Sequence, residues 1–557
     1  MSFERLAELL FPDVERDADD YERLYPERKL PEGAKVTRIA PSPTGFIHLG
    51  NLYGALTDER LAHQSGGIFF LRIEDTDAKR EVANGAEMIR ACLRSFGLVF
   101  DEGALEGGDR GAYGPYRQRE RAHIYHAFAK KLVLEGKAYP CFCSEEELAE
   151  MRAEQEREKV NFGYYGKWAK YRDLPFDEAE RRVRAGEPYV LRFRSEGDPS
   201  HYLHLTDQIR GKIDMPENDQ DFVLLKSDGI PTYHFAHVVD DHLMRVTHVV
   251  RGEEWLATWP IHVQLFAALG WKCPKYCHTA HLMKAEGSGK RKLSKRKDPE
   301  LALSFYRENG YPSESVREYP MTLLNSNFEE WRLANPKADI DAFPFALSKM
   351  GVSGALFDLD KLRDVSKNVV AAMTAQQVYD AVCDWAREYD RPFYELLAAD
   401  PAYAVRILSI GRGGKKPRKD IALWSDVKPY MSLFYDGLFT RSEPMPQGFA
   451  SADVKKALAL FCETYDENDT QEQWFDKLKA VAAALGYAPE VKLYKQSPER
   501  YPGHVGDVSM FVRVALTGRS SSPDMYEIMQ ILGANGSGKS TLMNCLAHQL
   551  KPQQGQI

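Results

Sequence analysis

Arg38-Ile39-Ala40-Pro41-Ser42-Pro43-Thr44-Gly45-Phe46-Ile47-His48-Leu49-Gly50-Asn51 is the stretch whose reading decides the fold. It opens on a short apolar strand, Val36 to Ala40, and two prolines then forbid helix while Gly45 allows a tight turn. Beyond the turn, Leu49, Leu52, Tyr53 and Leu56 fall on one face of a helix. A strand therefore feeds a turn that feeds a helix N-terminus, where free N–H groups and a partial positive charge suit an anion. Gly50 would let a base or ribose approach the backbone, and a neutral His48 can donate to a phosphate oxygen. Taken alone, the stretch is equally a turn carrying a histidine.

A second stretch, Lys292-Leu293-Ser294-Lys295-Arg296-Lys297, follows the Gly287-Ser288-Gly289 loop. Lysines on such a loop suit a phosphoryl site whose charge is met at the transition state, although most basic loops are simply solvated. HLGN and KLSKR together resemble the paired HIGH and KMSKS motifs of class I aminoacyl-tRNA synthetases. RIAPSPTGFIHLGN, LRIEDTD, GPYRQRER, LLKSDGIPTYHFAHVVDDHLM, VVRGEEW and KLSKRK resemble glutamyl-tRNA synthetases in particular. The resemblance runs from about Lys35 to about Leu532.

It implies an α/β Rossmann-type class I synthetase catalytic domain with an inserted acceptor-binding domain, followed by an all-α anticodon-binding half. The expected order is an N-terminal extension (1–34), the first catalytic half (35–104) and the insertion (105–200). The second catalytic half with the KLSKR loop (201–298), a stem-contact domain (299–370) and a helical anticodon domain (371–532) follow. The extension carries a short helical pattern at Leu6, Leu9 and Leu10 and no assigned chemistry. Helical faces are read over Ala371 to Tyr389, Pro392 to Ile410 and Ser451 to Tyr465.

The activity implied is ATP-dependent activation of L-glutamate and its transfer to the 3′ end of tRNA(Glu), with tRNA(Gln) left open as a second acceptor. ATP enters as a substrate with Mg²⁺. His48, Asn51, Lys292 and Lys295 would serve catalysis, with Asn51 standing where the family has its second histidine. ATP would meet His48, Gly50, Glu254, Leu293, Ser294 and Lys295. Glutamate would meet Arg38, Ser42, Glu74, Tyr233 and Arg251. Planar guanidinium groups suit a dicarboxylic amino acid because they bind carboxylates bidentately; without the resemblance, Arg38 and Arg251 read as ordinary surface arginines. Tyr233 and Arg251 would flank a short Asp240-Asp241-His242 turn, and His237 stands where some members have asparagine. For tRNA the candidates are Arg117 and Arg119, the latter where the family usually has serine, and Arg412, Lys415, Lys416 and Arg418 in a glycine-rich basic loop that is equally a solvated linker.

Other signals are weaker. Asp75 and Asp77 more readily hold a turn or cap a helix than bind metal. Cys141 and Cys143 form a CxC that lacks two further local ligands, and Cys273, Cys277, His278 and His281 only partly mimic a zinc site, so no structural zinc is expected. The chain has 557 residues, 43% of them hydrophobic and 28% charged, which points to several soluble globular domains. The lack of a long apolar stretch argues against a membrane span. An acidic N-terminus argues against a targeting peptide, and eight scattered cysteines suit a reducing cytoplasm. A monomer is expected. The net charge of −8 leaves nucleic-acid contact to local basic stripes. The near alternative by resemblance is a glutaminyl-tRNA synthetase, ranked below because that family's anticodon half is built from β-barrels whereas this one reads helical. A different-class alternative, an ATP-hydrolysing transport subunit, is suggested only by the C-terminus. Gly533 to Thr541 fits the pattern GxxxxGK[ST], out of context, with Leu542 to Leu550 read as helix.

Overall fold

The computed structural model describes residues 3–45, 47–77, 79–294, 296–414, 416–440 and 442–533. It divides into two compact units, one made of residues 1–306 and 316–359, the other of 307–315 and the chain from 360 onward.

The first unit opens with two short helices, α1 (Phe3–Leu10) and α2 (Ala18–Leu24). A nucleotide-fold half follows: β1 (Val36–Ile39), α3 (Leu49–Gln64), β2 (Ile68–Leu71), α4 (Gly85–Ser95), β3 (Glu102–Leu105) and β4 (Gly108–Arg110). Strands β1, β2 and β3 are parallel neighbours, and β4 turns back along β3. The two inner strands are buried along nearly their whole length, which is why they read as unbroken apolar runs.

Helix α5 (Ala122–Leu134) leads into the insertion: β5 (Ala138–Cys141), α6 (Glu145–Glu158), α7 (Phe176–Arg184), β6 (Val190–Phe193), the hairpin β7 (Tyr202–Asp207) and β8 (Gly211–Pro216), and β9 (Val223–Leu225). Because β9 pairs with β6, this sheet continues past residue 200, where the sequence placed its end. The chain then re-enters the nucleotide fold with α8 (Tyr233–Leu243), β10 (His248–Gly252), α9 (Trp259–Ala268) and β11 (Lys275–Thr279). Strands β10 and β11 are parallel. Thr247 N–H donates to the Val36 carbonyl at 3.0 Å, setting β10 beside β1. The KLSKR region is a hairpin, β12 (Leu282–Glu286) and β13 (Gly289–Lys292), with β14 (Ala355–Leu356) parallel to β12 on its other side.

Asp240, Asp241 and His242 do not form the expected turn. They lie in the last turns of α8, where the two aspartates are buried against arginines from three other elements.

The second unit is helical, as expected, around one core that includes Val382, Phe393, Leu397, Ile407, Val427, Phe461, Leu478, Phe511 and Ile528. Two helices read as continuous are broken. Thr374 forms a capping box with Gln377 that starts a new helix, Ala375–Tyr389. Asp400 accepts from the Tyr403 N–H at 3.0 Å with Pro401 at the first helical position, so Pro392 to Ile410 is two helices, Arg391–Ala399 and Pro401–Leu408. The last described helix, Met525–Gly533, buries Met525, Ile528, Met529, Ile531 and Leu532 in this core.

Candidate active site

His48 caps α3. Its Nδ1 accepts from the Asn51 N–H at 3.3 Å, while Asn51 Oδ1 accepts from the His48 N–H at 3.0 Å. With Nδ1 accepting, the ring proton of neutral His48 sits on Nε2, the orientation a phosphate donor needs. Asn51's carbonyl is engaged in the cap, which leaves its NH₂ for other contacts. Gly50 suits the cap as well: a Cβ there would lie 3.0 Å from His48 Nδ1, a tight contact that would press on the ring.

The first motif meets the segment that follows the second. His48 bridges Ala302, just beyond the KLSKR loop, and Leu303 N–H donates to the Ile47 carbonyl at 3.3 Å. The loop is pinned at its base rather than loose. Buried Asp298 accepts from both terminal nitrogens of Arg291 at 2.5 and 2.7 Å and from the Ser294 N–H at 2.8 Å. These bonds hold the Asp298 carboxyl far below its ordinary range, Arg291 first among them. Leu293 is buried, and its N–H donates to the Leu282 carbonyl at 3.1 Å. Lys292 Nζ lies 3.3 Å from His281 Nε2, and His281 Nδ1 lies 3.3 Å from Glu254 Oε2. His281 thus links the lysine of one motif to a carboxylate expected at the nucleotide; the sequence offered it only as a partial metal ligand. Lys295 lies outside the described residues. Asp298→Ala is expected to lower kcat for adenylate formation by about 100-fold, the size of effect of an ångström-scale misplacement, with little change in the amino-acid KM. Steady-state kinetics measure this, and an unchanged kcat would make the clasp irrelevant to chemistry.

Next to β1 lies a buried charge cluster. Arg38 Nε is 3.1 Å from both Asp241 oxygens. Arg72 donates to Asp241 at 2.6 Å and to Glu74 at 3.1 Å. Arg121 donates to Asp240 at 2.6 Å. Three arginines thus face three carboxylates. Burial raises the Glu74 carboxyl, and Arg72 and Arg38 draw it back. Arg72 was not singled out in the sequence, yet it is the residue that ties Glu74 to Asp241.

Arg251 is different. It is 8% exposed and, among the described residues, has no carboxylate within ion-pair distance in the structure. Its Nε donates to His278 Nε2 at 2.9 Å, Nη1 lies 3.0 Å from His262 Nδ1, and Nη2 donates to the Trp255 carbonyl at 3.2 Å. Its guanidinium also lies over the Tyr276 ring. Burial, then Arg251's charge, pushes the His234 imidazole down to about 4, and burial drives His262 well below its usual range. The neighbouring rings are therefore neutral acceptors, and Arg251's charge is left for a ligand. Tyr233 packs on Trp255 and stacks on His237, in the joint field of Arg251, Glu74 and Arg38. Ser42 is exposed in the turn after β1. In the buried cluster Arg38, Arg72 and Arg121 face Asp240, Asp241 and Glu74, whereas Arg251 has only neutral partners among the described residues.

The chain matches the family of tRNA synthetases class I (E and Q), catalytic domain, over residues 35–337. It is 55% identical over 534 residues to a glutamate–tRNA ligase of Acetivibrio thermocellus, covering 96% of this chain and 98% of that one.

The chain belongs to the glutamate–tRNA ligases.

A glutamate–tRNA ligase of Clostridium perfringens is 50% identical over 538 residues, covering 96% of this chain and 98% of its own. The glutamate–tRNA synthetase structure from Elizabethkingia anophelis superposes with a TM-score of 0.73 at 29% identity, covering 93% of this chain and all of that one. A glutamate–tRNA ligase from Elizabethkingia meningosepticum in complex with its amino acid gives a TM-score of 0.70 at 28% identity, with the same coverage. The class I architecture with a helical C-terminal half is thus that of this ligase family. Residues 519–557 separately match the ABC transporter family. Within that span Met525–Gly533 is a helix of the second unit's core, not a strand leading into a phosphate loop. The loop itself and Leu542 to Leu550 lie outside the described residues.

The tRNA candidates fare unevenly. Arg117 lies 3.4 Å from Glu87 at the surface. Arg119 is engaged: its N–H donates to Asp75 Oδ1 at 2.8 Å, and its guanidinium reaches the Asp75 carbonyl and Glu81 at 2.8 and 2.9 Å. Arg412 holds the fold, donating to the carbonyls of Leu408, Val370 and Met373. Arg418 forks onto Asp420 and closes the loop through its N–H to the Gly411 carbonyl. Lys416 is exposed, and Lys415 lies outside the described residues.

Three of the described cysteines sit in packed surroundings. Cys141 is buried with its thiol 3.3 Å from the Tyr164 hydroxyl, and burial pushes the Cys143 thiol up to about 11. Cys277 is buried on β11.

Proposed function

We propose that this chain condenses L-glutamate with ATP to give glutamyl-adenylate and pyrophosphate, then transfers the glutamyl group to the terminal adenosine of tRNA(Glu). In the first step the α-carboxylate oxygen attacks the α-phosphorus, and the bond to the bridging oxygen of pyrophosphate breaks. In the second a ribose hydroxyl attacks the glutamyl carbonyl, loses its proton and expels AMP. The chemistry needs no covalent enzyme intermediate, so the protein contributes position and charge.

Arg251 carries this reading. A guanidinium buried among neutral imidazoles favours a side-chain carboxylate over a neutral amide, because only the carboxylate meets its charge. In the same reading Glu74 takes the substrate's amino group, Arg38 and Tyr233 complete the pocket with Ser42, and His48 donates from Nε2 to an ATP phosphate. Lys292, Leu293, Ser294, Lys295, Gly50, Glu254 and Asn51 surround the nucleotide. Mg²⁺ would arrive on the ATP phosphates. Among the described residues no cluster of three His, Cys, Asp or Glu side chains is placed to hold a metal. Arg117 and Arg119 are proposed for the acceptor arm and Lys415, Lys416 and Arg418 for the anticodon side; Arg412's bonds argue for a supporting role. The enzyme is proposed to act as a monomer in the cytoplasm. No helix among the described residues is long and apolar enough to cross a membrane.

The test is charging of purified tRNA with labelled glutamate and ATP. Glutamylated tRNA supports the proposal, and its absence with every tRNA of the source organism would end it. Separate assays with tRNA(Glu) and tRNA(Gln) decide whether one acceptor or both are used.

A further inference from the structure

We infer that Asp207 and His278 form an orienting pair that fixes the Arg251 guanidinium for the side-chain carboxylate of the amino acid. The inference rests on the reading of Arg251 given above and adds two positioning residues to that pocket.

The geometry leaves one arrangement of protons. Asp207 Oδ2 lies 2.7 Å from His278 Nδ1, so Nδ1 carries the proton and donates. Nε2 is then bare and accepts from Arg251 Nε at 2.9 Å. A carboxylate behind an imidazole fixes its tautomer and strengthens the far nitrogen as an acceptor, as it does for imidazoles that bind metals. Asp207 and His278 side chains are fully buried.

The carboxylate is held in turn by backbone. Asp207 Oδ1 accepts from the Ile209 and Arg210 N–H groups at 2.9 and 2.8 Å, and Oδ2 also accepts from the His278 N–H at 3.0 Å. The β7–β8 hairpin that carries Asp207 docks on β11 through Gln208 N–H to the Tyr276 carbonyl at 2.9 Å. Arg210 adds a bond to the His278 carbonyl and an ion pair with Glu253.

A second arm meets Arg251 from α9 and α8. His262 Nδ1 accepts from Nη1 at 3.0 Å, so its Nε2 carries the proton and donates to His234 Nδ1 at 2.9 Å. Both arms supply acceptors without placing a negative charge on the guanidinium. His278, His262 and the Trp255 carbonyl take three of the five guanidinium donors. Each terminal nitrogen keeps one further N–H, and the Tyr233 hydroxyl is itself in hydrogen-bond contact with the guanidinium, so a carboxylate would share or displace that contact. An acid at position 278 would hold Arg251 equally firmly but cancel the charge that selects the substrate.

The experiment is glutamate- and ATP-dependence of pyrophosphate exchange, with tRNA present, in full-length wild type, His278→Ala and His278→Gln. Glutamine can both donate to Asp207 and accept from Arg251. The alanine variant is expected to raise the glutamate KM about tenfold, the worth of one charge-assisted hydrogen bond. The ATP KM should stay within about twofold, and His278→Gln should recover most of the loss. An unchanged glutamate KM in His278→Ala would overturn the inference. So would His278→Gln as impaired as His278→Ala with both variants folded, since that outcome assigns the ring to packing. If the alanine variant does not fold, Asp207→Asn decides. Its amide would turn the His278 tautomer over and put an N–H against Arg251, raising the glutamate KM in the same way; an unchanged value overturns the proposal. Wild-type enzyme serves as the control: exchange with glutamate upholds the underlying reading whatever the variants do, and no exchange removes both.

Discussion

Arg251→Lys is expected to raise the glutamate KM about 100-fold, the effect of truncating one partner of a buried, charge-assisted pair, while the ATP KM barely moves. Lysine keeps the positive charge but loses the planar fork. It also cannot satisfy at once His278, His262 and the Trp255 carbonyl, which hold the native side chain from three directions. Two neighbouring imidazoles would be left without donors in a buried site, and the ammonium would have no fixed direction toward the ligand. Initial rates of pyrophosphate exchange at varied glutamate measure this. A glutamate KM near wild type would remove Arg251 from the pocket.

Asp240→Ala is expected to destabilise the first unit by about 3–5 kcal/mol, the loss that follows breaking a buried ion pair. Asp240 is fully buried in α8 and accepts from Arg121 Nε at 2.6 Å, the Tyr125 hydroxyl at 2.8 Å and Gln118 Nε2 at 3.0 Å. Arg72 Nε lies 3.8 Å from the same carboxylate. Alanine would leave two guanidinium groups sharing less negative charge where no water reaches them. Asp240→Asn keeps acceptor capacity but not charge, so it should fall between alanine and wild type. Urea unfolding followed by a probe in the first unit gives the values; a loss below about 1 kcal/mol for alanine would mean that the cluster contributes little.

What was legible in the sequence was local. The β1–turn–α3 segment and the helix at Met525–Gly533 are marked by contiguous patterns. Tyr233 and Arg251 were singled out only by the family resemblance, since each alone reads as an ordinary residue. The cap on α3 was less legible, because histidine is not among the usual N-cap residues. The break at Asp400-Pro401 was written in the chain, since aspartate before proline is a helix-start signal, but the 3.6-residue periodicity on both sides hid it. Asp240 and Asp241 were read as a turn because polar residues dominate turns; partners from distant elements made them helical and buried. Arg412 read equally as a phosphate contact or part of a solvated linker, and its bonds to distant backbone carbonyls are not encoded in the local pattern. His278 and Asp207 are far apart in sequence and meet only because a hairpin of the insertion docks on β11, a juxtaposition no local pattern encodes.

The account's central claim is that an uncompensated guanidinium in a neutral pocket makes glutamate the amino acid of this enzyme. Pyrophosphate exchange by the wild-type protein, with tRNA present and glutamate or glutamine as the sole amino acid, tests it most directly. The prediction is robust exchange with glutamate and a kcat/KM for glutamine lower by about 10⁴-fold or more, as expected when buried polar groups are left unpaired by the wrong substrate. Comparable exchange with glutamine, or exchange with neither, would contradict it.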